Sequence, residues 1–480
     1  MCKHHSIAHL PTHYPVTCHT DYVDAGSTFV AIAGANHNGL AFVPLAIEKG
    51  ATKIVVQKSV IIPDTLRALL NQKQIALEYV DDTRKALAQL SAEAAEYPAE
   101  KLKIIGITGT KGKTTTTFLL YHILQTAGYK TAMLSTVQNE IDGGILPAQL
   151  TTPQPDYLHQ FLKVCVEEEV EYVVMEVAAQ ATSLYRTHGI QFDAAIFTNL
   201  SQEHGEFYPS MEDYFAAKCA LFDQLKLHGT MLINSDDTWG KKLLAQHPTA
   251  QTFGLETAAK FTAELSDASR AFITAAIKWG KNSLPITCPT LIGNYNLLNI
   301  LAAAGCALQL GVNSRKIARA LETFESIPGR LERYFLNNGA TCIIDYAHNP
   351  SSYTALFSTL RPLTNHLILV FGCGGQRDAA RRPIMGAIAA EYADVIILTS
   401  DNPRTENPAD IIADIMAGIP EHNRANVRQI LDRRAAIEHA YELSGQGSIF
   451  VLLGKGPDEY QIIGDTKTYF SEVAILNTLE

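Results

Sequence analysis

Short apolar runs separated by longer amphipathic segments recur along this chain, and their alternation predicts strands and helices in turn. Runs such as KIIGIT at 103, VVMEV at 173 and DAAIFTNL at 193 are apolar on successive residues, as expected for strands covered on both faces of a parallel sheet. Segments between them, such as TTTTFLLYHILQTAG at 114, have the length and spacing of helices. The pattern predicts a doubly wound α/β fold.

The same pattern divides the chain into three blocks. Residues 1–98 contain STFVAIAG, AFVPLAIEKGA and TKIVVQK, which predict a small unit of strand, helix and strand. Residues 99–329 hold the longest alternation, and residues 330–480 repeat it with ATCIIDYA, HLILVFG, DVIILTS and GSIFVLLG. A chain of 480 residues is expected to form two to four domains of roughly 100 to 200 residues each. We therefore predict a small N-terminal α/β domain, a central doubly wound domain and a C-terminal Rossmann-like domain.

Composition excludes several classes of partner. The net charge of -10 gives no basic surface for a nucleic-acid backbone, and no apolar run reaches the length of a membrane span. Eight cysteines are scattered without any C-x-x-C pair, which is typical of reduced thiols in a cytoplasm. We expect a cytoplasmic monomer that acts on small molecules, without nucleic-acid partners and without membrane insertion.

One glycine-rich loop carries the clearest chemical signal. KIIGITGTKGKTTTT places a strand, this loop and a helix start in the order that a phosphate cradle needs. The strict P-loop pattern requires glycine where Ile107 stands, so a purely structural turn is the alternative. Lys113 would add a point charge, Thr114 would reach magnesium, and ATP is favoured because no Asn-Lys-x-Asp guanine motif occurs. The predicted ATP-binding residues here are Gly109, Thr110, Lys111, Gly112, Lys113, Thr114 and Thr115.

The loop TGTKGKTTTT resembles the ATP loop of the Mur ligases, the cytoplasmic enzymes that add amino acids to the UDP-MurNAc peptide precursor. The resemblance continues in the same order along nearly the whole chain. The further motifs are LTTP at 150, VVMEV at 173, FTNLSQEH at 197, MEDYFAAK at 211, GNYNLLN at 293, DYAHNP at 345, FGCGGQRD at 371, DNPR at 401 and GKGPDEYQ at 454. Within the family they are most similar to the ligase that adds a diamino acid.

This resemblance implies an ATP-dependent amide-bond ligase that needs magnesium. It would add meso-2,6-diaminopimelate to UDP-MurNAc-L-Ala-D-Glu through an acyl phosphate, in peptidoglycan precursor synthesis. The three blocks would then be a UDP-sugar-binding, an ATP-binding and an amino-acid-binding domain. Two alternatives are the same ligation with L-lysine or a variant precursor, and a non-catalytic Mur-like protein that binds the precursor.

The resemblance also implies a magnesium site. Glu176 ends an apolar strand, the usual place for a carboxylate that holds magnesium, and His204 follows another strand end. Lys218 would be carbamylated, so that its added carboxylate binds metal together with Thr114; a snorkelling lysine is the alternative. Since a binding module has no use for the whole set, the enzyme is favoured. The expected catalytic residues are Lys113, Glu176, His204 and Lys218.

Further residues match family positions around the nucleotide. Asn296 and Asn299 lie one helical turn apart and match positions near ATP, although helix-surface amides are the alternative. Arg330, Asp345 and His348 match stretches that close over ATP, with a turn or cap role as the alternative.

The precursor site departs from the family pattern. The implied residues are Thr20, Thr151, Thr152, Ala178 and Arg186. The family's Asp-Ser-Arg reads His19, Thr20 and Asp21 in this chain, and Ala178 lacks a hydroxyl that other members direct at the substrate. We therefore hypothesise that the nucleotide-sugar is bound in an altered way or is a variant.

The stretch SDNPRTENPADII combines a helix start with a substrate grip. Asn407 and Pro408 predict an N-cap followed by proline at the first helical position. DNPR follows a strand, and in diaminopimelate-adding members it holds the amino acid. A guanidinium binds a carboxylate with two parallel hydrogen bonds, so Arg404 is the expected clamp for the distal carboxylate. The implied pocket contains Arg377, Asp401, Asn402, Pro403, Arg404, Gly454 and Asp458, where the family usually has a glutamate at the last position.

Overall fold

The structure is a computed structural model that describes residues 9–34, 38–203, 205, 207–266 and 271–479. These residues divide into two compact units. The first comprises the described chain up to Ala263 together with Ile277–Leu284 and Leu298–Ala320, and the second comprises Glu264–Ala276, Pro285–Leu297 and the described chain from Leu321. The domain boundaries at residues 98 and 329 stay predictions.

The N-terminal part of the first unit is a four-stranded parallel sheet with helices, of which the sequence predicts a small α/β unit with the strands β2 and β3. Strands follow the order β1-β2-β3-β4. Asp82 caps the last helix, because its side chain accepts hydrogen bonds from the Arg84 and Lys85 backbone N–H groups. The elements are β1 (Val16–Thr17), β2 (Thr28–Val30), β3 (Lys53–Gln57), β4 (Ala76–Val80), α1 (Val43–Glu48), α2 (Asp64–Gln72) and α3 (Thr83–Ala94).

The rest of the first unit is built on an eight-stranded sheet in the order β12-β11-β10-β5-β9-β6-β7-β8. Its strands are β5 (Lys103–Thr108), β6 (Thr131–Leu134), β7 (Gln138–Ile141), β8 (Gly144–Pro147), β9 (Tyr172–Glu176), β10 (Phe192–Phe197), β11 (Leu225–Asn234) and β12 (Gln251–Phe253). The strands from β12 to β6 run parallel, which confirms the doubly wound prediction. The hairpin β7–β8 is antiparallel and was not predicted.

Helices cover this sheet, and a small sheet follows it along the chain. The helices of this region are α4 (Lys113–Thr126), α5 (Pro155–Glu167), α6 (Ala179–Ser183), α7 (Met211–Cys219), α8 (Thr238–Gln246), α9 (Asn294–Gln309) and α10 (Ser314–Glu322). The small sheet has the strands β13 (Thr262–Leu265), β14 (Ile273–Trp279) and β15 (Asn282–Cys288).

The second unit contains the predicted Rossmann-like sheet, in the order β16-β17-β21-β18-β19-β20. Only β16 is antiparallel to its neighbour among these described strands. The strands are β16 (Glu332–Phe335), β17 (Thr341–Asp345), β18 (Leu367–Phe371), β19 (Val395–Leu398), β20 (Val427–Gln429) and β21 (Ile449–Leu453), followed by the hairpin β22 (Tyr460–Ile463) and β23 (Thr466–Tyr469). The helices are α11 (Pro350–Leu360), α12 (Arg381–Tyr392), α13 (Pro408–Ala417), α14 (Arg433–Leu443) and α15 (Glu472–Leu479).

The core of the second unit explains why its central strands are apolar on successive residues. Leu367, Leu369 and Phe371 of β18 pack into one hydrophobic cluster, whereas Ile368 and Val370 pack into another on the opposite face. Because β18 lies between β21 and β19, the loops that follow these three parallel strands emerge side by side at one edge. Ligands bind at this carboxyl edge in open α/β sheets.

Within the described part of the chain, every helix is too short or too polar to cross a membrane.

Candidate active site

The glycine-rich loop joins β5 to α4 and has the backbone of a close-fitting turn. Gly109 and Gly112 have φ angles of +148° and +80°, which side-chain-bearing residues rarely adopt. A Cβ at Gly112 would lie 2.3 Å from Asn299 Oδ1, and one at Gly109 would lie 1.9 Å from Thr198 Oγ1. Neither position has room for a larger residue, so the glycines allow the loop to close over the N-terminus of α4.

Polar residues at the end of β10 hold this loop in place. Thr198 Oγ1 donates to the Lys111 carbonyl at 2.6 Å, and Asn199 Nδ2 donates to the same oxygen at 3.1 Å. Asn199 Oδ1 also accepts from the Lys111 N–H at 2.9 Å. Neither Thr198 nor Asn199 was predicted as a site residue. The available signal was their position directly after a buried strand, within the quoted FTNLSQEH motif.

Asn299 lies against the same loop, on α9. Its Oδ1 accepts from Thr116 Oγ1 at 3.4 Å. The structure thus places Asn299 beside the loop. Asn296 was predicted together with Asn299 to lie near ATP. Its Nδ2 donates a hydrogen bond to the Ile292 carbonyl at 3.0 Å.

Two lysines converge on the loop carbonyls. Lys113 Nζ donates to the Gly109 and Thr110 carbonyls, at 2.9 Å each, and Lys218 Nζ donates to the Gly109 carbonyl at 2.7 Å. Lys218 is only 1% exposed. Burial lowers the pKa of Lys218 well below its usual value, and the charge of Lys113 lowers it further. The alternative of a snorkelling lysine is therefore wrong, because the amine is buried and its neutral form is favoured.

Glu176 places a carboxylate on the strand next to the loop strand. It is the last residue of β9 and pairs with Ile107 of β5, and its side chain is fully buried. The carboxylate accepts hydrogen bonds from Thr136, from N–H at 2.8 Å and from Oγ1 at 3.2 Å. Thr114 is buried in the first turn of α4. The two residues offer the oxygen ligands that magnesium prefers.

No complete metal cage is preformed within the described ranges. There, no group of three or more His, Cys, Asp and Glu side chains is arranged to hold a metal ion. His204, which the resemblance implies as a metal ligand, lies outside the described residues. The metal roles of Thr114, Glu176, His204 and Lys218 therefore stay predictions.

Most of the residues implied in precursor binding form one hydrogen-bonded cluster with Glu176. Thr152 Oγ1 donates to the Glu176 carbonyl at 2.8 Å and accepts from the Ala178 N–H at 3.0 Å. Arg186 Nη1 donates to the Thr152 carbonyl at 2.8 Å. Ala178 stands at the N-cap of α6, where it provides no side-chain cap.

Thr151 belongs to this cluster, whereas Thr20 does not. Thr151 Oγ1 accepts from Thr136 Oγ1 at 3.0 Å. Within the described residues, Thr20 makes no hydrogen bond to the cluster; its carbonyl accepts from Lys49 Nζ at 3.0 Å. Lys49 Nζ also lies 3.5 Å from Asp21 Oδ1. The acid that replaces the family's arginine thus faces a lysine from the same N-terminal sheet region.

Arg330, Asp345 and His348 come together at the end of β17 in the second unit. Asp345 accepts hydrogen bonds from the Leu331 and Ala347 N–H groups, at 2.7 and 2.8 Å. The Arg330 guanidinium lies 4.4 Å from the centre of the Tyr346 ring. Burial raises the pKa of the Asp345 carboxyl, and the charge of Arg330 opposes that rise. The contacts of Asp345 are those expected of a residue that stabilises a turn, which was the alternative. The role of these residues in ATP binding stays a prediction.

The predicted amino-acid pocket is assembled from the loops after β21, β18 and β19. Arg404 lies in the loop after β19 with a φ angle of +53°. Its Nη1 donates to the Gly375 carbonyl at 2.7 Å, so the guanidinium reaches the loop after β18. A Cβ at Gly454, after β21, would lie 2.9 Å from Asp401 Oδ2. Two of the three loops are thus in contact with the DNPR segment at atomic distance.

A lysine that was not predicted lies next to two residues of the predicted pocket. Lys455 is fully buried, and its Nζ lies 3.8 Å from Asp401 Oδ1 and 3.4 Å from Asn402 Oδ1. Burial raises the pKa of Asp458, and Lys455 opposes that rise. The sequence signal was a lone lysine between two glycines in GKGPD. Arg377, in contrast, is exposed.

The helix start after DNPR is as predicted. Asn407 Oδ1 accepts from the Ala409 N–H at 3.2 Å, and Pro408 is the first residue of α13. This half of the stretch is explained by helix capping.

The chain matches known proteins of one family. Family models match the Mur ligase middle domain at residues 107–307 and the Mur ligase glutamate ligase domain at residues 329–456. The UDP-N-acetylmuramoyl-L-alanyl-D-glutamate--2,6-diaminopimelate ligase of Thermosynechococcus vestitus is 38% identical over 94% of this chain and 89% of its own length. The protein of the same name from Aquifex aeolicus is 38% identical over 97% of this chain and 93% of its own length.

A solved structure of a protein with that name is also similar. It covers 97% of this chain and 94% of its own, with 27% sequence identity and a TM-score of 0.65. The 38% identity to the two relatives extends over nearly the full length of both chains, as is usual for proteins of one family. The chain belongs to the Mur ligase family.

Proposed function

We propose that this chain is an ATP-dependent ligase that joins meso-2,6-diaminopimelate to UDP-MurNAc-L-Ala-D-Glu, in peptidoglycan precursor synthesis. One observation carries the proposal. The loops after β21, β18 and β19 bring Gly454, Gly375 and Arg404 to one edge of the sheet, where an open α/β sheet binds its ligand. The two relatives described above carry this reaction in their names.

The loop residues 109–115 are proposed to bind ATP. Gly109 and Gly112 carry no side chain, so phosphate oxygens could approach the loop closely at the N-terminus of α4. Lys113 would add its charge on the same side. Asn296, Asn299, Arg330, Asp345 and His348 are proposed to complete the nucleotide site.

Thr114 and Glu176 are proposed to hold magnesium, together with His204 and a carbamylated Lys218. Hydroxyl and carboxylate oxygens suit this ion, and the buried, low-pKa amine of Lys218 is the form that carbamylation requires. When bound, magnesium would neutralise charge on the transferred phosphoryl group.

The chain's residues would act mainly by positioning. Thr151, Thr152, Ala178 and Arg186 would orient the precursor, so that its glutamyl carboxylate takes the γ-phosphoryl group and ADP leaves. The diamino acid amine then attacks the acyl phosphate, loses a proton and displaces phosphate. Positioning of the reacting groups in each step, together with neutralisation of the developing charge, provides most of the acceleration in such transfers.

The preference for diaminopimelate over L-lysine is assigned to Arg404. Diaminopimelate has a distal carboxylate that L-lysine lacks, and a guanidinium can hold it with two parallel hydrogen bonds. Arg377, Asp401, Asn402, Pro403, Gly454 and Asp458 are proposed to form the rest of the pocket. Asp458 would face the distal amine.

We also propose where and in what form the protein works. All the described cysteines are free thiols, which supports a reducing cytoplasm. We propose a monomer with a UDP-sugar-binding domain at 1–98, an ATP-binding domain at 99–329 and an amino-acid-binding domain at 330–480. Light scattering would test the monomer.

One assay tests the function directly. Purified protein is mixed with ATP, magnesium and UDP-MurNAc-L-Ala-D-Glu, and meso-diaminopimelate or L-lysine is added in turn. We expect phosphate release that depends on diaminopimelate. The product should have the summed mass of UDP-MurNAc-L-Ala-D-Glu and diaminopimelate minus one water. Turnover with L-lysine alone would reassign the amino acid. Binding of the precursor without phosphate release, with either amine, would favour a non-catalytic protein.

A further inference from the structure

The loop that carries Arg404 is packed directly against the loop after β18. The Gly375 N–H donates to the Asn402 carbonyl at 3.0 Å, and Arg404 Nη1 donates back to the Gly375 carbonyl at 2.7 Å. A Cβ at Gly375 would lie 1.9 Å from the Pro403 carbonyl oxygen. The two loops therefore touch backbone to backbone, and a displacement of one moves the other.

Glu406 fastens this contact from the side. It lies two residues after Arg404, and its carboxylate accepts hydrogen bonds from the Gln376 N–H and from Arg382 Nη2, the latter at 2.7 Å. The Gln376 N–H and Arg382 hold the pKa of Glu406 below its usual value. Glu406 is thus an anion that joins its own loop both to the loop after β18 and to α12.

Arg382 divides its guanidinium between two acids. Its side chain is 4% exposed; Nη2 pairs with Glu406 at 2.7 Å, and Nη1 pairs with Asp414 of α13 at 2.9 Å. The Asp414 pair joins helix to helix, whereas the Glu406 pair joins helix to loop. The same buried cation therefore makes one contact that reaches the Arg404 loop and one that does not.

The opposite side of Arg404 is held by the hairpin β22–β23. The Arg404 N–H donates to the Ile462 carbonyl at 3.1 Å, and its carbonyl accepts from the Gly464 N–H at 2.7 Å. A φ angle of +53° at a residue other than glycine persists only where the surroundings hold it. The hairpin holds the backbone of Arg404, and the Gly375 carbonyl holds its guanidinium. Glu406 in turn holds the loop that contains Gly375, through the Gln376 N–H.

We propose that Glu406 and Arg382 are positioning residues that set the affinity of the pocket for the diamino acid. They do so by keeping the loop after β19, which carries Arg404, in register with the loop after β18. This rests on the proposed function, because it takes Arg404 as the clamp for the distal carboxylate. Neither Glu406 nor Arg382 needs to touch the substrate.

Two single substitutions separate this role from a general loss of stability. Glu406→Gln removes the charge that reaches the loop, and Asp414→Asn removes the matched charge from the other side of the same arginine. Each leaves Arg382 with one acid, so both should lower Tm to a similar extent. The exposed fractions of the two acid side chains, 33% and 50%, make a folding failure unexpected in either case.

The readout is the steady-state kinetics of the full-length protein with meso-diaminopimelate as the varied substrate. We expect Glu406→Gln to raise KM for diaminopimelate about tenfold, since small misplacements of a binding group cost this much or more. The KM for ATP and kcat should change by less than about twofold. Asp414→Asn should leave all three constants close to those of the wild type.

Three results would overturn the inference. The first is an equal KM for diaminopimelate in the two variants. The second is a change in kcat, or in KM for ATP, as large as the change in KM for diaminopimelate. The third is an unchanged KM for diaminopimelate in Glu406→Gln, and each of the three would show that the contact is only structural. If the wild type itself forms no product with diaminopimelate, the proposed function fails and this inference fails with it. An active wild type with unaffected Glu406→Gln overturns the inference alone.

Discussion

Lys218 Nζ donates a hydrogen bond to the Gly109 carbonyl at 2.7 Å, so a buried lysine amine lies directly against the glycine-rich loop. Burying a charge costs several kcal/mol unless it is paired, and the low pKa of Lys218 reflects that cost. A lysine in such a position weakens the fold, and a role in the chemistry would explain why it is present.

Lys218→Met should therefore separate stability from activity. We expect Tm to stay the same or rise, because an apolar chain of similar length replaces a buried amine, while kcat falls by about 100-fold or more. Thermal melts and phosphate-release rates measure the two effects, with exposed Lys242→Met as the control. Intact-protein mass spectrometry tests carbamylation as the addition of one CO₂ to wild type that Lys218→Met lacks. A fall in Tm with normal kcat would make Lys218 purely structural.

Asn199→Ala should weaken ATP binding selectively. Asn199 makes two of the side-chain contacts that hold Lys111 in the loop, and a loop that is free to shift holds phosphate less well. We expect KM for ATP to rise about tenfold with KM for diaminopimelate unchanged. Asn313→Ala is the matched control, since Asn313 accepts from the Arg315 N–H beside α10; its loss should cost about 1 kcal/mol of stability without affecting either KM. An unchanged KM for ATP in Asn199→Ala would refute the anchoring role.

Arg404→Ala should sharply weaken the use of diaminopimelate. Losing a charged, two-bond contact costs a few kcal/mol, so KM for diaminopimelate should rise about 100-fold. Arg404→Lys keeps the charge without the planar fork and should recover only part of this loss. Arg428→Ala, on the exposed edge strand β20, serves as the control. A KM for diaminopimelate that does not respond to Arg404→Ala would contradict the assignment.

His159 should make the protein less stable as the pH falls. It is buried on α5, neither ring nitrogen has a hydrogen-bond partner among the described residues, and burial lowers its pKa from 6.5 to about 4. Below pH 6.5 the unfolded chain therefore takes up a proton that the folded chain does not, and stability is lost progressively until the pH reaches about 4. At higher pH this histidine contributes no pH dependence.

Urea unfolding at several pH values tests this effect. The free energy of unfolding should fall by up to about 1.4 kcal/mol per pH unit from this one group, and His159→Leu should remove that part of the slope. A wild type and a His159→Leu variant with the same slope would refute the prediction.

Much of the fold could be predicted because strands buried on both faces are apolar on successive residues, as in β5, β9 and β18. The hairpin β7–β8 was missed because each strand is four residues long, with two buried residues in β7 and one in β8. Its turn residues Asp142 and Gly143, both at positive φ, carried a recognisable hairpin signal.

The candidate site divides in the same way. Lys113 and Glu176 could be named as candidates because Lys113 belongs to the glycine-rich loop motif and Glu176 ends an apolar strand; their roles stay predictions. Asn199 and Lys455 were missed because their importance comes from contacts with Lys111 and Asp401, which are remote in sequence. Such contacts depend on how the loops pack, and the local pattern does not contain that information.

The backbone-to-backbone approach of the pocket loops has a consequence for protein engineering. A side chain at Gly375 would meet the Pro403 carbonyl oxygen, and Gly454 has a φ angle of +99° that residues with side chains rarely adopt, so enlarging either residue would disturb the backbone of the proposed pocket. A design that aims at another amino acid would have to transplant the segments after β18, β19 and β21 together with the hairpin β22–β23 as one module. If these loops form the proposed pocket, its selectivity would be a property of the packed loops together and not of any single residue.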